Sequence, residues 1–191
     1  MKWLGMVGLI CLVVTGFSTP AAAQSVKKVE VAGGWNYMAI KDNQDEDWVH
    51  FSKGWFAEVA GNLNSTWSVV GAVIGAKKTI TDFQGDVDIT AFPYVFGIRA
   101  SSRKNPNATP FAHFLAGATN FKGEQGTFSA TDTLLTWVVG GGANVKINDA
   151  VAARVGGDYI RIKGKDQSEL ITDALQGLRI TAGVSVGFGG K

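Results

Sequence analysis

The segment LRITAGVSVGF, residues 178–188, alternates strictly between apolar and small or polar side chains. Every second residue, starting from Leu178, is apolar, whereas the residues between them are Arg, Thr, Gly, Ser and Gly. Because successive side chains of a strand point to opposite faces, this pattern predicts a β-strand with two chemically different sides. Its length is near the roughly 9–11 residues that cross a bilayer at a tilt, whereas soluble strands average only about 5–6 residues.

Seven further segments show the same alternation, and we find no convincing 3.6-residue helical stripe. Their approximate ranges are 28–40, 54–63, 66–76, 89–100, 111–121, 134–146 and 151–162. The segment 111–121 is not oriented by its pattern, because neither of its faces is clearly polar. The sequence therefore predicts an all-β fold, an eight-stranded antiparallel transmembrane β-barrel with up-and-down meander topology.

The amino-terminal residues have the layout of a secretory signal peptide. Lys2 gives a short positive start, an uncharged apolar run covers residues 3–17, and three alanines precede Gln24. The apolar run is shorter than the roughly 20 residues that a spanning helix needs. We predict a signal peptide over residues 1–23 and one barrel domain over residues 24–191, the alternative being an uncleaved anchor.

Composition excludes several classes of protein. Lys and Arg number 18 against 16 Asp and Glu, so the chain lacks the basic bias of a nucleic-acid partner. The single cysteine, Cys11, lies in the predicted signal peptide, so the mature chain would have no disulfide. The 25 glycines and 4 prolines fit closely approaching strands better than a helical bundle.

The connections between the segments alternate in length. Those at 41–51, 77–88, 122–133 and 163–176 are long and polar, whereas those at 64–65 and 147–150 are short. Transmembrane barrels place short turns on the periplasmic side and longer loops outside. The pattern predicts four polar extracellular loops, although the connection 101–110 is longer than this rule expects.

The small-residue face of the segments indicates which side is the interior. On a soluble lipocalin-like barrel that face would meet water and carry many charges, but here it is mostly Gly, Ala, Ser, Thr and Asn. We predict that it lines a narrow interior with a polar network of paired charges, since an isolated buried ion is very costly. The residues of this network are Glu58, Arg99, Arg154, Asp158 and Arg179. A gate for ions is the alternative role.

Aromatic residues fall toward both ends of the segments. Those near the outer ends are Tyr37, Trp55, Phe92, Trp137 and Tyr159, and those near the periplasmic ends are Trp67, Phe111 and Phe188. Two such rings are the aromatic girdles expected where a barrel meets the lipid headgroups.

The segments ARVGGDY, residues 153–159, and LRITAGVSVGF carry a resemblance to a known family. They are similar to the small eight-stranded OmpA/OmpX-like outer-membrane barrels, the porin-type barrel domains of Gram-negative bacteria. The resemblance implies a bacterial outer-membrane location and contact with outer-membrane lipids and lipopolysaccharide. It also implies insertion by the barrel-assembly machinery, which reads a terminal aromatic residue; here residues 189–191 follow Phe188.

Few residues in the chain are suited to catalysis. His50 and His113 are the only histidines, and no HExxH, GxSxG, CxxC or phosphate-loop pattern occurs. His50 beside Ser52, with Asp47 nearby, is the set that a lipid-modifying enzyme could use, but a solvated loop histidine explains it as well. The acidic stretch 42–47 lacks the spacing of an EF-hand and is better explained as a solvated loop. We therefore predict no catalytic site, cofactor or metal.

Together these patterns predict a structural or surface-interaction role, in which the barrel displays loops that could bind an extracellular ligand. A narrow or gated pore is the alternative within the same architecture. A soluble periplasmic lipocalin-like carrier and a lipid-modifying barrel enzyme are the alternatives of other classes.

Overall fold

The computed structural model of the chain describes residues 26–42, 48–82, 85–125, 128–163 and 174–189. Within these ranges the regular structure consists of eight strands. They are β1 (Val29–Asp42), β2 (Val49–Asn62), β3 (Trp67–Asp82), β4 (Gly85–Ser101), β5 (Ala108–Gln125), β6 (Phe128–Lys146), β7 (Val151–Ile162) and β8 (Leu175–Phe188). The described residues include no helix that is long and apolar enough to span a membrane. The predicted signal peptide, residues 1–23, lies outside the described residues and stays a prediction.

The strands form a closed antiparallel barrel with meander topology, which confirms the predicted fold class. Each strand pairs with the next, and β1 closes the barrel against β8. The register is staggered around the barrel. A path that starts at Arg179 of β8 and passes from each residue to its register partner on the next strand returns to the end of β8 at Gly189, ten residues further along the chain. This stagger tilts the strands relative to the barrel axis, as closure requires.

The two ends of the barrel differ in their connections. We call the turn end the one that carries the β2–β3, β4–β5 and β6–β7 connections together with the start of β1 and the end of β8. The Asn64 and Asn148 side chains tighten two of these turns, because each accepts hydrogen bonds from two backbone N–H groups just beyond it, at 2.7–2.9 Å. The opposite end, with the other four connections, is called the loop end.

Two predicted loops are wrong in extent. The strands β3 and β4 continue to Asp82 and from Gly85, and β5 and β6 continue to Gln125 and from Phe128, so most of 77–88 and 122–133 is paired strand. The stretch Thr79–Thr81 is β-branched throughout and suits extended backbone despite its polarity. Polarity was therefore a poor guide to where the strands end.

The strand β2 begins at Val49, whereas the sequence pattern predicts a start at residue 54. The pattern misses the first residues of the strand because a β-bulge interrupts their alternation. The β1–β2 register shifts between Asn36 and Met38, where β2 carries one extra residue. Ser52 and Lys53 are consequently both exposed, and Phe51 turns into the barrel. The bulge thus adds an aromatic ring to the interior at the loop end.

The structure orients β5, which the sequence pattern left open. Phe111, His113 and Leu115 are buried inside the barrel, whereas Ala112 and Phe114 face outward. The assignment of Phe111 to the periplasmic aromatic ring is therefore wrong: its ring is an interior side chain. The sequence could not decide this because residues 111–116 are apolar on both faces, apart from His113.

Candidate functional site in the barrel interior

The outer face of the barrel is apolar and open. Phe96 is 71% exposed, and Val59, Val155 and Ile180 are each more than half exposed. The remaining seven predicted girdle residues lie on this face as well: Tyr37 is half-buried, and the exposed fractions of the other six range from 38% to 54%. These six are Trp55, Trp67, Phe92, Trp137, Tyr159 and Phe188. Their position at the lipid headgroups stays a prediction.

Glu58 is the centre of the interior charge cluster in the turn-end part of the barrel. Its Oε1 atom accepts a hydrogen bond from Arg99 Nη1 at 2.7 Å, and its Oε2 atom accepts one from Arg154 Nη2 at 2.8 Å. All three side chains are at most 5% exposed. Because β2, β4 and β7 are not neighbours, these ion pairs cross the lumen and fill it.

A second carboxylate, Glu30 of β1, extends the cluster toward the turn end. It accepts hydrogen bonds from Arg99 Nη2 at 2.9 Å and from Arg103 Nη2 at 2.8 Å, and Asn62 donates to it at 2.7 Å. Arg103 belongs to the β4–β5 connection and also donates to the Ser65 carbonyl at 2.6 Å. The unexpected length of this connection therefore has a structural consequence, since it lets an arginine fold back into the barrel mouth.

Asp158 holds a third group of charges further toward the loop end. Arg179 is its register partner on β8 and donates to Asp158 Oδ2 through Nε at 2.7 Å and also through Nη2. His113 Nε2 lies 2.8 Å from Asp158 Oδ1, and all three side chains are buried. Gly140 of β6 pairs with Asp158, and a Cβ atom there would overlap the carboxylate. Glycine at this position makes room for the charge.

The ring of Phe111 packs against the cations of the cluster. The guanidinium carbon of Arg154 lies 4.3 Å from the ring centroid and that of Arg99 lies 5.4 Å from it. The His113 ring stacks on Phe111 at a centroid distance of 5.7 Å. A cation over an aromatic face is attracted by the ring quadrupole, most strongly where water is excluded. Phe111 thus contacts both cations and offsets part of their desolvation.

The loop-end part of the interior is apolar instead. Its side chains lie near the loop-end termini of their strands and belong to one buried cluster, which continues toward the turn end only through Ala60, Val70 and Ala72 of β2 and β3 and two mid-strand residues, Val95 and Leu115. The loop-end members include Met38, Ile40, Phe51, Ala76, Ala91, Phe121, Leu134, Ile160 and Ile162, with Ile89 and Leu175 packed against them. A polar pair borders this cluster, in which the Thr119 and Thr136 hydroxyls lie 2.6 Å apart. The interior is therefore divided into a polar half and an apolar half.

Two cavities mark the polar half. A vestibule of about 470 Å³ opens at the turn end and is lined by residues that include Lys27, Arg103, Asn144 and Lys146. At its rim the Lys146 ammonium lies 2.6 Å from Asp149, and this hydrogen bond lowers the pKa of the Asp149 carboxyl. A second cavity, between Glu58 and Arg179, measures about 10 Å³, the volume of roughly one water molecule.

The cavities bear on the predicted alternatives. A lipocalin-like carrier needs a ligand-sized apolar cavity, whereas the apolar half of the described interior is packed with side chains.

The His50 ring of the hypothetical lipid-modifying set stacks on Tyr37, and its Nδ1 atom lies 2.6 Å from the Tyr37 hydroxyl. Asp47 lies outside the described residues, as does the acidic stretch 43–47. Among the described residues no group of three His, Cys, Asp or Glu could hold a metal.

Sequence reasoning missed three members of the charged interior. The predicted network does not include Glu30, although Glu30 lies between the apolar residues Val29 and Val31 of segment 28–40. Arg103 lies in the connection 101–110, and His113 lies in segment 111–121, whose pattern gives no orientation. A long turn-end connection that carries an arginine was the available signal for Arg103. Nothing local could identify His113, because its partner Asp158 is 45 residues away in the chain.

A family model described as outer membrane protein beta-barrel domain matches residues 9–188. The chain is similar to the crystal structure of Neisserial surface protein A, with a TM-score of 0.68 and 12% identity over 84% of this chain and 96% of that one. A comparison with curated proteins gives no match.

Two further solved structures are similar at lower scores. The attachment invasion locus protein Ail of Yersinia pestis, in complex with the heparin analogue sucrose octasulfate, has a TM-score of 0.54 and 13% identity over 85% of this chain and 99% of that one. OprG of Pseudomonas aeruginosa has a TM-score of 0.51 and 10% identity over 89% of this chain and 100% of that one. At these identities the similarity shows a common fold.

Proposed function

The chain belongs to the outer membrane protein β-barrel family, and from that premise we propose that it is a closed barrel with a structural or surface-interaction role. The family places it in the outer membrane of a Gram-negative bacterium. In the proposal the barrel is an anchor without catalytic activity, and the polar connections at its loop end meet the binding partner.

The observation that carries the proposal is the filled lumen. Ion pairs from Glu58 to Arg99 and Arg154 cross the polar half, and packed apolar side chains fill the half beyond it. An eight-stranded barrel is just wide enough for its interior to be occupied by side chains. A barrel filled in this way is suited to hold its connections rigidly and is poorly suited to let solutes pass.

The orientation in the membrane follows from the general rule for such barrels, in which short turns face the periplasm. Two loop-end connections, 83–84 and 126–127, are shorter than any at the turn end, so the orientation rests on the long β7–β8 connection: the turn end faces inward, and the loop end faces the cell exterior. The β7–β8 connection is the longest in sequence. Lipid and lipopolysaccharide then surround the apolar outer face, after insertion by the barrel-assembly machinery.

Labelling of single cysteines in intact cells tests this arrangement. Lys165→Cys introduces a thiol into the β7–β8 connection, and Asn148→Cys introduces one into the β6–β7 turn as the matched control. A membrane-impermeant maleimide should label the first variant in intact cells and the second only after lysis. Labelling of Asn148→Cys in intact cells, or recovery of the protein without detergent, would overturn the proposal.

A narrow or gated pore is a second candidate, because the vestibule opens widely at the turn end. Arg103 is placed at its inner boundary by the ion pair with Glu30 and is the residue that would gate it. In a liposome-swelling assay with a small sugar, a gate predicts faster swelling for Arg103→Ala than for wild type. Lys104→Ala, the neighbouring residue, is the control. Equal, slow swelling of all three proteins would reject the pore.

A further inference from the structure

The acidic residues of the chain are divided unevenly between the two ends of the barrel. Twelve of the 16 fall in or beside the loop-end connections, within residues 42–47, 82–88, 124–132 and 166–173. Three of the other four, Glu30, Glu58 and Asp158, point into the lumen. Asp149 of the β6–β7 turn is therefore the one acidic residue in the turn-end connections, all of which the structure describes.

The turn end is basic by contrast. The described cations in or next to its connections and at the start of β1 are Lys27, Lys28, Arg103, Lys104 and Lys146. Asp149 neutralises one of these charges, and Glu30 is shared between Arg103 and Arg99 of the lumen. The described part of the turn end thus carries a net positive charge. A cleft lined mainly by one sign of charge, with walls of low dielectric constant, attracts ligands of the opposite charge.

Three of these cations line the vestibule at the turn end. Arg103 is bound by Glu30 at 2.8 Å and the Lys146 ammonium by Asp149 at 2.6 Å. The Lys27 ammonium makes no hydrogen bond or ion pair with the residues that the structure describes. Lys146 and, to a lesser extent, Lys27 lower the pKa of the Asp149 carboxyl, which shows that this site favours negative charge. Lys27 is therefore available to bind an anion from solution.

The ion pair between Lys146 and Asp149 can exchange for a ligand. The side chain of Lys146 is 45% exposed and that of Asp149 is 93% exposed. Exposed pairs of this kind contribute little to stability, so a ligand carboxylate can replace Asp149 on the Lys146 ammonium at small cost. Lys27 and Lys146 thus provide two binding positions for anionic groups in the vestibule.

The neutral part of the lining suits a short peptide. Asn107, Asn144 and Thr109 contribute amide and hydroxyl groups, and Pro106 and Val151 contribute apolar ones. The volume of about 470 Å³ lies within the roughly 300–1,000 Å³ of sites that hold a small ligand. Beyond the vestibule the interior charge cluster closes the lumen. The vestibule is therefore a dead end that can hold a ligand.

The position of the cations favours a ligand in solution over the headgroups of a membrane. Cations that bind headgroups should project from the outer face beside the exposed rings of Trp67 and Phe188. Lys27, Arg103 and Lys146 instead line the concave mouth. A single inorganic anion would occupy a small part of this volume, whereas a chain with several carboxylates fills it and reaches both lysines.

We propose that the vestibule binds an acidic peptide segment of a partner protein. Two carboxylates of the segment accept charge-assisted hydrogen bonds from Lys27 and Lys146, and its backbone amides bind the Asn107 and Asn144 side chains. Clustered cations are a recurrent means of recognising acidic segments. The orientation under the proposed function places this partner in the periplasm, on the side opposite to the loop end. The binding itself does not depend on that orientation.

Peptide binding by the purified full-length barrel tests this proposal. The protein is reconstituted in phosphatidylcholine nanodiscs, and its binding of a fluorescein-labelled tetraglutamate peptide is measured by fluorescence anisotropy in about 0.1 M salt. Lys27→Gln/Lys146→Gln removes two charges from the vestibule, and Lys53→Gln/Lys163→Gln removes two exposed charges at the loop end as the matched control. Asn144→Phe fills the vestibule without a change of charge. Heat-modifiable migration in gels checks that each barrel is folded.

The Kd for tetraglutamate should rise by on the order of tenfold in Lys27→Gln/Lys146→Gln and also in Asn144→Phe, and the loop-end control should match wild type. Tetraglutamine should not bind. Equal weakening in both charge variants, unaltered binding by Asn144→Phe, or equal binding of tetraglutamine would each overturn the proposal. Displacement of the peptide by phosphatidylglycerol vesicles, or by millimolar sulfate at constant ionic strength, would also overturn it. Both ends of the barrel are exposed in a nanodisc, so the result is independent of the orientation tested by cysteine labelling.

Discussion

The two halves of the barrel interior are filled by opposite kinds of side chain. In the polar half, within the described residues, Glu30, Glu58 and Asp158 face four arginines, which are Arg99, Arg103, Arg154 and Arg179. In the apolar half, side chains such as Phe121, Leu134 and Ile162 pack against one another. Both halves close the same lumen, but the first does so by directional ion pairs and the second by non-directional contact.

This difference determines how each half responds to change. A buried ion pair is balanced against the cost of removing its charges from water, so loss of one partner leaves an uncompensated charge. Loss of an apolar contact leaves no unpaired charge. It costs the transfer free energy of the removed atoms and a further term for the cavity that remains. The polar half should therefore be sensitive to charge, and the apolar half to volume.

The largest effect is expected at Glu58, which neutralises two arginines. Glu58→Gln keeps the shape but leaves Arg99 and Arg154 without their shared carboxylate, and we expect the free energy of unfolding to fall by about 3–5 kcal/mol. Urea titration of the barrel in lipid vesicles measures it. The triple variant Glu58→Leu/Arg99→Met/Arg154→Met is the control and should lose less. A smaller loss for the single variant than for the triple would contradict the charge argument.

The apolar half should respond to volume. Leu134 is 2% exposed inside the barrel, and Leu134→Ala should lower the free energy of unfolding by about 2–5 kcal/mol. Leu135, its neighbour on β6, is 47% exposed on the outer face and provides a matched control. Leu135→Ala should cost less, because lipid chains can fill the space. Equal costs in the same unfolding titration would mean that this part of the interior is not tightly packed.

The aromatic ring that contacts both arginines should have a smaller effect. Phe111→Leu keeps an apolar side chain but removes the face that Arg154 and Arg99 contact, and we expect a loss of about 1–2 kcal/mol. Phe114→Leu on the same strand, which faces outward, is the control. If both leucine variants unfold at the same urea concentration, the cation contacts of Phe111 make no measurable contribution.

The smallest effect is expected for the threonine pair that borders the apolar half. Thr119→Val removes the hydrogen bond to Thr136, whose hydroxyl also donates to the Leu134 carbonyl at 3.2 Å, and should cost about 0.5–1.5 kcal/mol. Replacement of both threonines by valine should cost no more than the single change, since no buried hydroxyl then remains. A double variant that is much less stable than Thr119→Val would show that the pair matters as a polar unit.

Much of the fold could be predicted from the sequence, because the alternation of apolar and polar side chains is a local signal within each strand. The inner-face positions of Arg99, Arg154 and Arg179 follow from counting by two along their strands, and the structure has them there. The β5 strand gave no such signal, since residues 111–116 are apolar on both faces apart from His113. The apolar half was missed for a related reason: inward residues such as Leu134 and Val138 are as apolar as the lipid-facing ones.

The sequence predicts the positions of the interior charges better than it predicts which residues they pair with. Glu58 and Arg154 are 96 residues apart in the chain and meet across the lumen. Which residues meet there depends on the stagger of the strands and on the β-bulge of β2, and neither is encoded in one segment. The contribution of Arg103 depends in turn on how the β4–β5 connection folds, which alternation does not address.

The most direct measurement of whether both halves close the lumen is conductance in a planar bilayer. Wild type should show little or no steady conductance. Glu58→Gln should stay mostly closed because the apolar half remains, and Phe121→Ala/Leu134→Ala should stay mostly closed because the ion pairs remain. The combined variant, if heat-modifiable and therefore folded, should open far more often than either. Large, continuous conductance from wild-type protein would contradict closure of the lumen by these side chains.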